Sequence, residues 1–165
     1  MLSSIVGSLT SNKSAAINPI GGLYETFDDT YGYRLFKYVH NEEASTASVA
    51  GAPAARKLTA DKLSCYACYI PLTATLDALG GIWMAAITAQ YYGWIQLLGY
   101  HTALKVYGAV AAYDTLKCSN TNAYQVADNS QGTQSTYPKH CVTLEAHTVT
   151  NTTTTLKGII NVGAW

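Results

Sequence analysis

Wherever apolar and polar residues alternate regularly along this chain the period is near two, and no 3.6-residue helical period lasts beyond two turns. The first regular run is Tyr33–Val39, YRLFKYV. Leu35 and Val39 share one face with Tyr33 and Lys37, and Arg34, Phe36 and Tyr38 take the other. Apolar bulk on both faces predicts a strand covered on both sides. Further strands are predicted at Cys65–Leu72, Ile82–Thr88, Tyr91–Leu97, Tyr100–Val106, Cys141–Ala146 and Leu156–Val162. Gly99 falls between two of these runs and predicts a hairpin turn there. Pro53, in the small apolar stretch Val49–Arg56, argues against a central strand. Asn41–Ser48 reads as a polar loop, Lys57–Leu63 as a loop or single helical turn, Leu76–Gly81 as a turn, and Thr148–Thr155 as a turn or edge. Lys117–Pro138 is polar, with a short strand around Tyr124–Ala127 and a long exposed loop at Asp128–Tyr137. Short strands with turn signals roughly every ten residues predict an all-β fold, a small barrel or sandwich of antiparallel strands.

Residues 1–32 break this pattern. Leu2, Ile5, Val6, Leu9, Ile17, Ile20 and Leu23 are scattered among Ser, Asn, Gly and Pro, and Asn18-Pro19 and Gly21-Gly22 are turn chemistry. The chain therefore divides into an extended N-terminal arm over residues 1–32 and a β-domain over residues 33–165. An arm this apolar is poorly suited to water. It either lies along a partner, with Ile5, Val6, Leu9, Ile17, Ile20, Leu23, Tyr24 and Phe27 as contacts, or folds back onto its own domain.

Composition narrows the function classes. The 165 residues suffice for one domain with a real core. Charged residues are only 12% and the formal net charge is +0, which argues against a nucleic-acid surface or a polybasic membrane patch. So neutral a chain, with 13 tyrosines, suits a surface held against other proteins. The run from Asp77 to Lys105 is uncharged between its ends and long enough to span a bilayer. Gln90, Gln96, His101, Thr102 and four glycines interrupt it, and no Lys/Arg flank orients it, so no membrane span is expected. Met1–Ala16 has neither a charged nor a continuous apolar segment of the export type.

Candidate chemistry is sparse. Cys65-x-x-Cys68 is half a zinc knuckle, with Cys118, Cys141 and His140 as possible completions, yet the second cysteine pair is split by 22 residues. Two residues three apart on a strand also point to opposite faces. The four cysteines read as buried structural thiols, or as disulfides in one of three pairings, and no metal or cofactor is expected. His40, His101, His140 and His147 stand in no metal-binding spacing. His40 near Glu42 and His147 near Glu145 read as surface pairs. No nucleophile elbow, phosphate-binding loop or dinucleotide fingerprint occurs, so the chain is not read as an enzyme.

Several stretches, in the same order along the chain, carry a family resemblance. YRLFKYV at Tyr33–Val39, followed by the Ala/Gly-rich VAGAPA, resembles the N-terminal part of the capsid decoration (cement) proteins of tailed bacteriophages. Gly81-Ile82, Ala85-Ala86-Ile87, Tyr92-Gly93-Trp94-Ile95-Gln96 and Gly99 match a second pattern of that family, and Val106–Leu116 a third, with Tyr113 where the family has Gly before Asp114. Val142–Ala146 resembles a further strand and Ile159–Val162 a closing one. The resemblance implies a β-tulip-like domain with Leu35, Ile82, Trp94, Ile95 and Leu144 in the core and Gly93 and Gly99 setting bends. It implies a protein made in the host cytoplasm that binds the outer surface of the virion capsid. Its partner there is the major capsid protein, it bridges capsomers, and it self-associates as a trimer or dimer. Neither nucleic acid nor membrane is a partner. The alternatives are another virion module, such as a head-fibre base or tail component, and a small metal-binding domain built on the cysteines.

Overall fold

The computed structural model describes residues 6–56, 67–69, 79–118, 125–127, 141–150 and 152–162, and among these it contains strands and no helix. In chain order the strands are β1 (Leu23–Asp28), β2 (Gly32–Asn41), β3 (Pro53–Arg56), β4 (Ala67–Tyr69), β5 (Leu79–Trp83), β6 (Tyr92–Tyr107), β7 (Thr115–Cys118), β8 (Gln125–Ala127), β9 (Cys141–Thr143) and β10 (Thr153–Asn161). They form one sheet in the order β1-β2-β4-β3-β5-β6-β10-β9-β7-β8, and further pairings join β2 and β8 to β6. All pairings are antiparallel except β2–β4 and β6–β8. The fold is all-β, as the alternation predicts. The predicted loop or turn at Lys57–Leu63, most of the predicted strand at Cys65–Leu72 and the loop at Asp128–Tyr137 lie outside the described residues.

The hairpin predicted at Gly99 is absent. β6 runs through that position as one strand of 16 residues. Gly99 has φ +96° and marks a bulge: the register skips one β6 residue between Leu35↔Leu98 and Phe36↔Gln96. A Cβ at Gly99 would run into the Tyr33 carbonyl, so only glycine lets β2 approach this closely. The buried Gln96 side chain donates to the carbonyls of Leu98 and Tyr100, 3.0 Å each, and satisfies backbone that the bulge takes out of the ladder. Pro53 likewise does not exclude a central strand. β3 lies between β4 and β5, and Pro53 is its first residue, where a missing N–H costs least.

β6 contributes to three buried clusters. Its second half joins Leu104 and Val106 to Leu79, Ile82, Leu116, Cys141, Leu156 and Ile160. Its first half contributes to both faces. Ile95 and Leu97 pack with Val39, Ala54, Trp83 and Ile87, and Leu35 is partly buried against them. Trp94 points the other way, onto Phe36 and Tyr38. Gly93 is held bare by Ile87, whose side chain would collide with a Cβ there. Ile82, Trp94 and Ile95 are buried, and Leu144 is only partly so.

Candidate binding edge

β1 is made by alternation. Tyr24 and Thr26 face one way, Leu23, Glu25 and Phe27 the other, and a turn returns the chain into β2 in unbroken register from Leu23↔Lys37 to Asp28↔Gly32. The turn is fixed by Asp28. Its Oδ1 accepts from the N–H groups of Thr30 (3.0 Å) and Tyr31 (2.7 Å), and its Oδ2 from Arg34 Nη2 at 2.8 Å. The Tyr31 N–H above all holds this carboxyl below its usual range. Gly32, at φ +67°, closes the turn.

Among the described residues β1 is the one strand with a single partner, since every other strand pairs on both sides. Five of the nine exposed large hydrophobic side chains among the described residues lie on or next to this hairpin. Phe27 is 77% exposed, and Leu23, Tyr31, Tyr33 and Ile20 are also open to solvent. Tyr31 stacks on Tyr100 at 5.5 Å, with the Arg34 guanidinium 4.8 Å above its ring. Tyr33 donates to Glu25 Oε2 at 2.7 Å, and that bond raises the phenol's pKa. Asp28 is bridged by Arg34, whereas no cation pairs with Glu25 or Asp29 among the described residues. The edge is thus apolar, acidic and unpaired.

The segment before β1 behaves differently. Lys13 and Tyr92 exchange backbone bonds of 3.1 and 2.8 Å, and Gly21 and Gly22 bond the backbone of Tyr38. Asn12 and Thr88 exchange two bonds through the Asn12 amide, and Asn18 clasps the backbone of Val6 in the same way. Leu9, Ile17 and Tyr24 pack on the Phe36, Tyr38 and Trp94 cluster. Of the residues read as partner contacts, then, Leu9, Ile17 and Tyr24 touch the chain's own core. Val6, Ile20, Leu23 and Phe27 are exposed, and Ile5 lies outside the described residues. Residues 6–22 follow the second reading of the arm, folding back onto the domain as a cover, whereas Leu23–Asp28, read as part of the arm, is a sheet strand. The LYETFD alternation before an Asp-rich turn and YRLFKYV was the signal for that strand.

Among the described residues the remaining candidates do not come together. His40 Nδ1 lies 3.0 Å from Glu42 Oε1 and its Nε2 3.0 Å from the Gln90 carbonyl, so both nitrogens are engaged. His101 is buried and accepts from the Ala103 N–H at 3.0 Å; desolvation, with Arg34 nearby, lowers its pKa to about 4. His147 bonds Thr152. Among the described residues no three His, Cys, Asp or Glu side chains gather as a metal site, and no helix is long and apolar enough to cross a membrane. Cys65 and His140 lie outside the described residues, as do the side chains of Cys68 and Cys118, while Cys141 is buried in the core around Leu104.

A second exposed feature lies at the far end of β6. Tyr113, where the resemblance has Gly, adopts φ +68° and is 75% exposed. A tight turn forms here even so. Ala111 N–H donates to Asp114 Oδ2 at 2.7 Å, Tyr113 N–H to the Thr143 carbonyl at 2.8 Å, and Thr143 N–H to the Asp114 carbonyl at 2.9 Å. These bonds offset a left-handed conformation that costs a non-glycine residue about 1–2 kcal/mol. Beside the turn is a shallow depression of about 500 Å³ lined by Val110, Ala111, Ala146 and His147 among others. Neither a scan against protein-family models nor a search of curated protein sequences finds a match to this chain.

Proposed function

We propose that this chain is a capsid decoration protein of a tailed bacteriophage, bound to the outer surface of the head, where it bridges capsomers of the major capsid protein. The observation that supports it best is the β1 edge. β1, with one partner strand among the described residues, carries Leu23 and Phe27 into solvent beside Tyr31 of the turn and Tyr33 of β2, on a chain with few charges. Exposed apolar side chains along a sheet edge mark a surface that gains by being covered. A protein that binds only the assembled shell stabilises that shell by mass action, and several modest contacts together give avidity. On this reading the domain is a β-barrel in which β6 is a shared wall: the pairings β6-β2-β4-β3-β5 and β6-β10-β9-β7-β8 each return to β6. Self-association on the shell, as a trimer or dimer, belongs to the same proposal. The test is to add purified protein to undecorated heads and count bound copies against the major capsid protein. Shell-wide occupancy in a fixed ratio is the expected result. No binding, or binding at one vertex or the tail alone, overturns it.

A further inference from the structure

The backbone of β1 specifies what its free edge can take. Tyr38 N–H donates to the Gly22 carbonyl, and on the other side of β2 Asn41 N–H donates to the Tyr91 carbonyl. Carried along the two unbroken stretches of register, these bonds make the even-numbered residues of β2 face β1 and the odd-numbered ones face β6. It follows that Tyr24, Thr26 and Asp28 bond inward, and that the N–H and C=O groups of Leu23, Glu25 and Phe27 all point off the sheet. The side chains of these same three residues share one face, beside Tyr33, Leu35 and the buried Lys37, which stands opposite Leu23. An added antiparallel strand would place a residue directly opposite each of them, with its Cβ about 5.5 Å away.

We infer that the outer edge of β1 is an acceptor site for an extended segment with a Lys or Arg flanked, two residues to either side, by apolar side chains. The cation stands opposite Glu25, whose other partner is the Tyr33 hydroxyl on Oε2 alone. The apolar residues cover Leu23 and Phe27. Asp29, without a cation of its own, adds to the local negative field. A second copy of this chain is a poor occupant. Because only Leu23, Glu25 and Phe27 bond outward, a symmetric β1–β1 pairing sets Glu25 against Leu23, its own copy or Phe27 and never against a cation, and like charges directly opposite are destabilising. The inference deepens the capsid reading by naming the chemistry of the segment bound, and its test runs without a shell so that the two can fail separately.

The probe is a short capped peptide of alternating threonine and valine with a central lysine, compared with the same peptide carrying a central glutamate. Binding is read by amide exchange and chemical shifts of the labelled full chain. The lysine peptide should slow exchange at Leu23, Glu25 and Phe27, and bind at least roughly tenfold more tightly than the glutamate peptide. Glu25→Lys should reverse the preference. Glu25→Pro removes one outward N–H and leaves the β1–β2 ladder intact, a position where proline is tolerated. It should abolish binding with melting unchanged, and should it unfold, the exposed Phe27→Ser serves in its place. No binding, equal affinity for both peptides, or protection elsewhere overturns the inference. Failure with the peptide but normal shell occupancy removes this inference and leaves the capsid reading, and peptide capture without shell binding does the reverse.

Discussion

Two groups of aromatic residues, one shared by β1, β2 and β6 and one at the β1–β2 turn, meet opposite fates. Phe36, Tyr38 and Trp94 are at most 2% exposed, with Tyr24 and Tyr92 against them and ring centroids 5.0 to 6.4 Å apart. Phe27, Tyr31 and Tyr33, a few residues away along the same hairpin, stand in solvent. Residue type does not separate them. What separates them is the face of the hairpin: Tyr24, Phe36 and Tyr38 share the face that residues 6–22 cover, whereas Phe27 and Tyr33 lie on the other and Tyr31 in the turn. The cover is fastened to the domain by the Asn12 amide and the backbones of Lys13, Gly21 and Gly22, and the Asn18 amide clasps it to itself at Val6. An apolar segment therefore becomes part of a core only where its backbone finds bonding partners. Arg34 joins the two groups, with its guanidinium over both Tyr31 and Phe36.

The contrast can be broken in four places. Trp94→Ala should cost about 3–5 kcal/mol in urea unfolding, the usual effect of removing a fully buried large aromatic. A change below about 1 kcal/mol would mean that the cover leaves this side chain dispensable. The second lever is pH, through His101, which lies near Arg34. Its folded pKa of about 4 is depressed from 6.5, so the unfolded chain takes up a proton first. Stability is full above pH 6.5 and is lost as the pH falls towards 4, by about 2 kcal/mol between pH 7 and pH 5. Unfolding midpoints at the two pH values measure this, and His101→Gln should flatten the difference. Third, Asn18→Ala should cost about 0.5–1.5 kcal/mol, because it removes the two bonds to the exposed Val6 backbone, which water then takes over. Faster amide exchange at Val6 with Phe27 unaffected would locate the loss in the cover. The smallest effect belongs to the open group: Phe27→Ser should shift stability by no more than about 0.5 kcal/mol. A larger loss would show that Phe27 supports the fold as well as the surface.

Much of the sheet was legible because alternation is local. YRLFKYV, the short strand ending at Ala127 and the strand beginning at Cys141 fall where the pattern places them. Gly99 was misread because glycine signals both a reversal and a bulge, and only the partner strand decides between them. Here Tyr33 and Arg34 crowd the position and the chain continues straight. β1 was hidden by Gly21-Gly22 before it and Asp28-Asp29 after it, turn chemistry that made a short strand read as more arm. The edge itself was half legible. Ile20, Leu23, Tyr24 and Phe27 were marked as contacts by apolarity, yet alternation cannot say that Tyr24 turns inward onto Trp94 while Phe27 turns out. At Tyr113 the substitution for glycine was visible, but not the bonds to Thr143 that hold the turn.

The uninterrupted course of β6 also bears on how the chain acquires its structure. β2 lies some sixty residues before the part of β6 it pairs with, and β10 some fifty after, so neither set of pairings forms from neighbouring sequence. Topologies dominated by such distant pairings fold slowly, on the millisecond to second scale. Because both sets use the same strand, neither half of the molecule has a complete sheet without it, and a break in β6 would deprive both at once. The chain should therefore lose its structure in a single calorimetric transition, and fragments divided at Gly99 should recover it only when mixed.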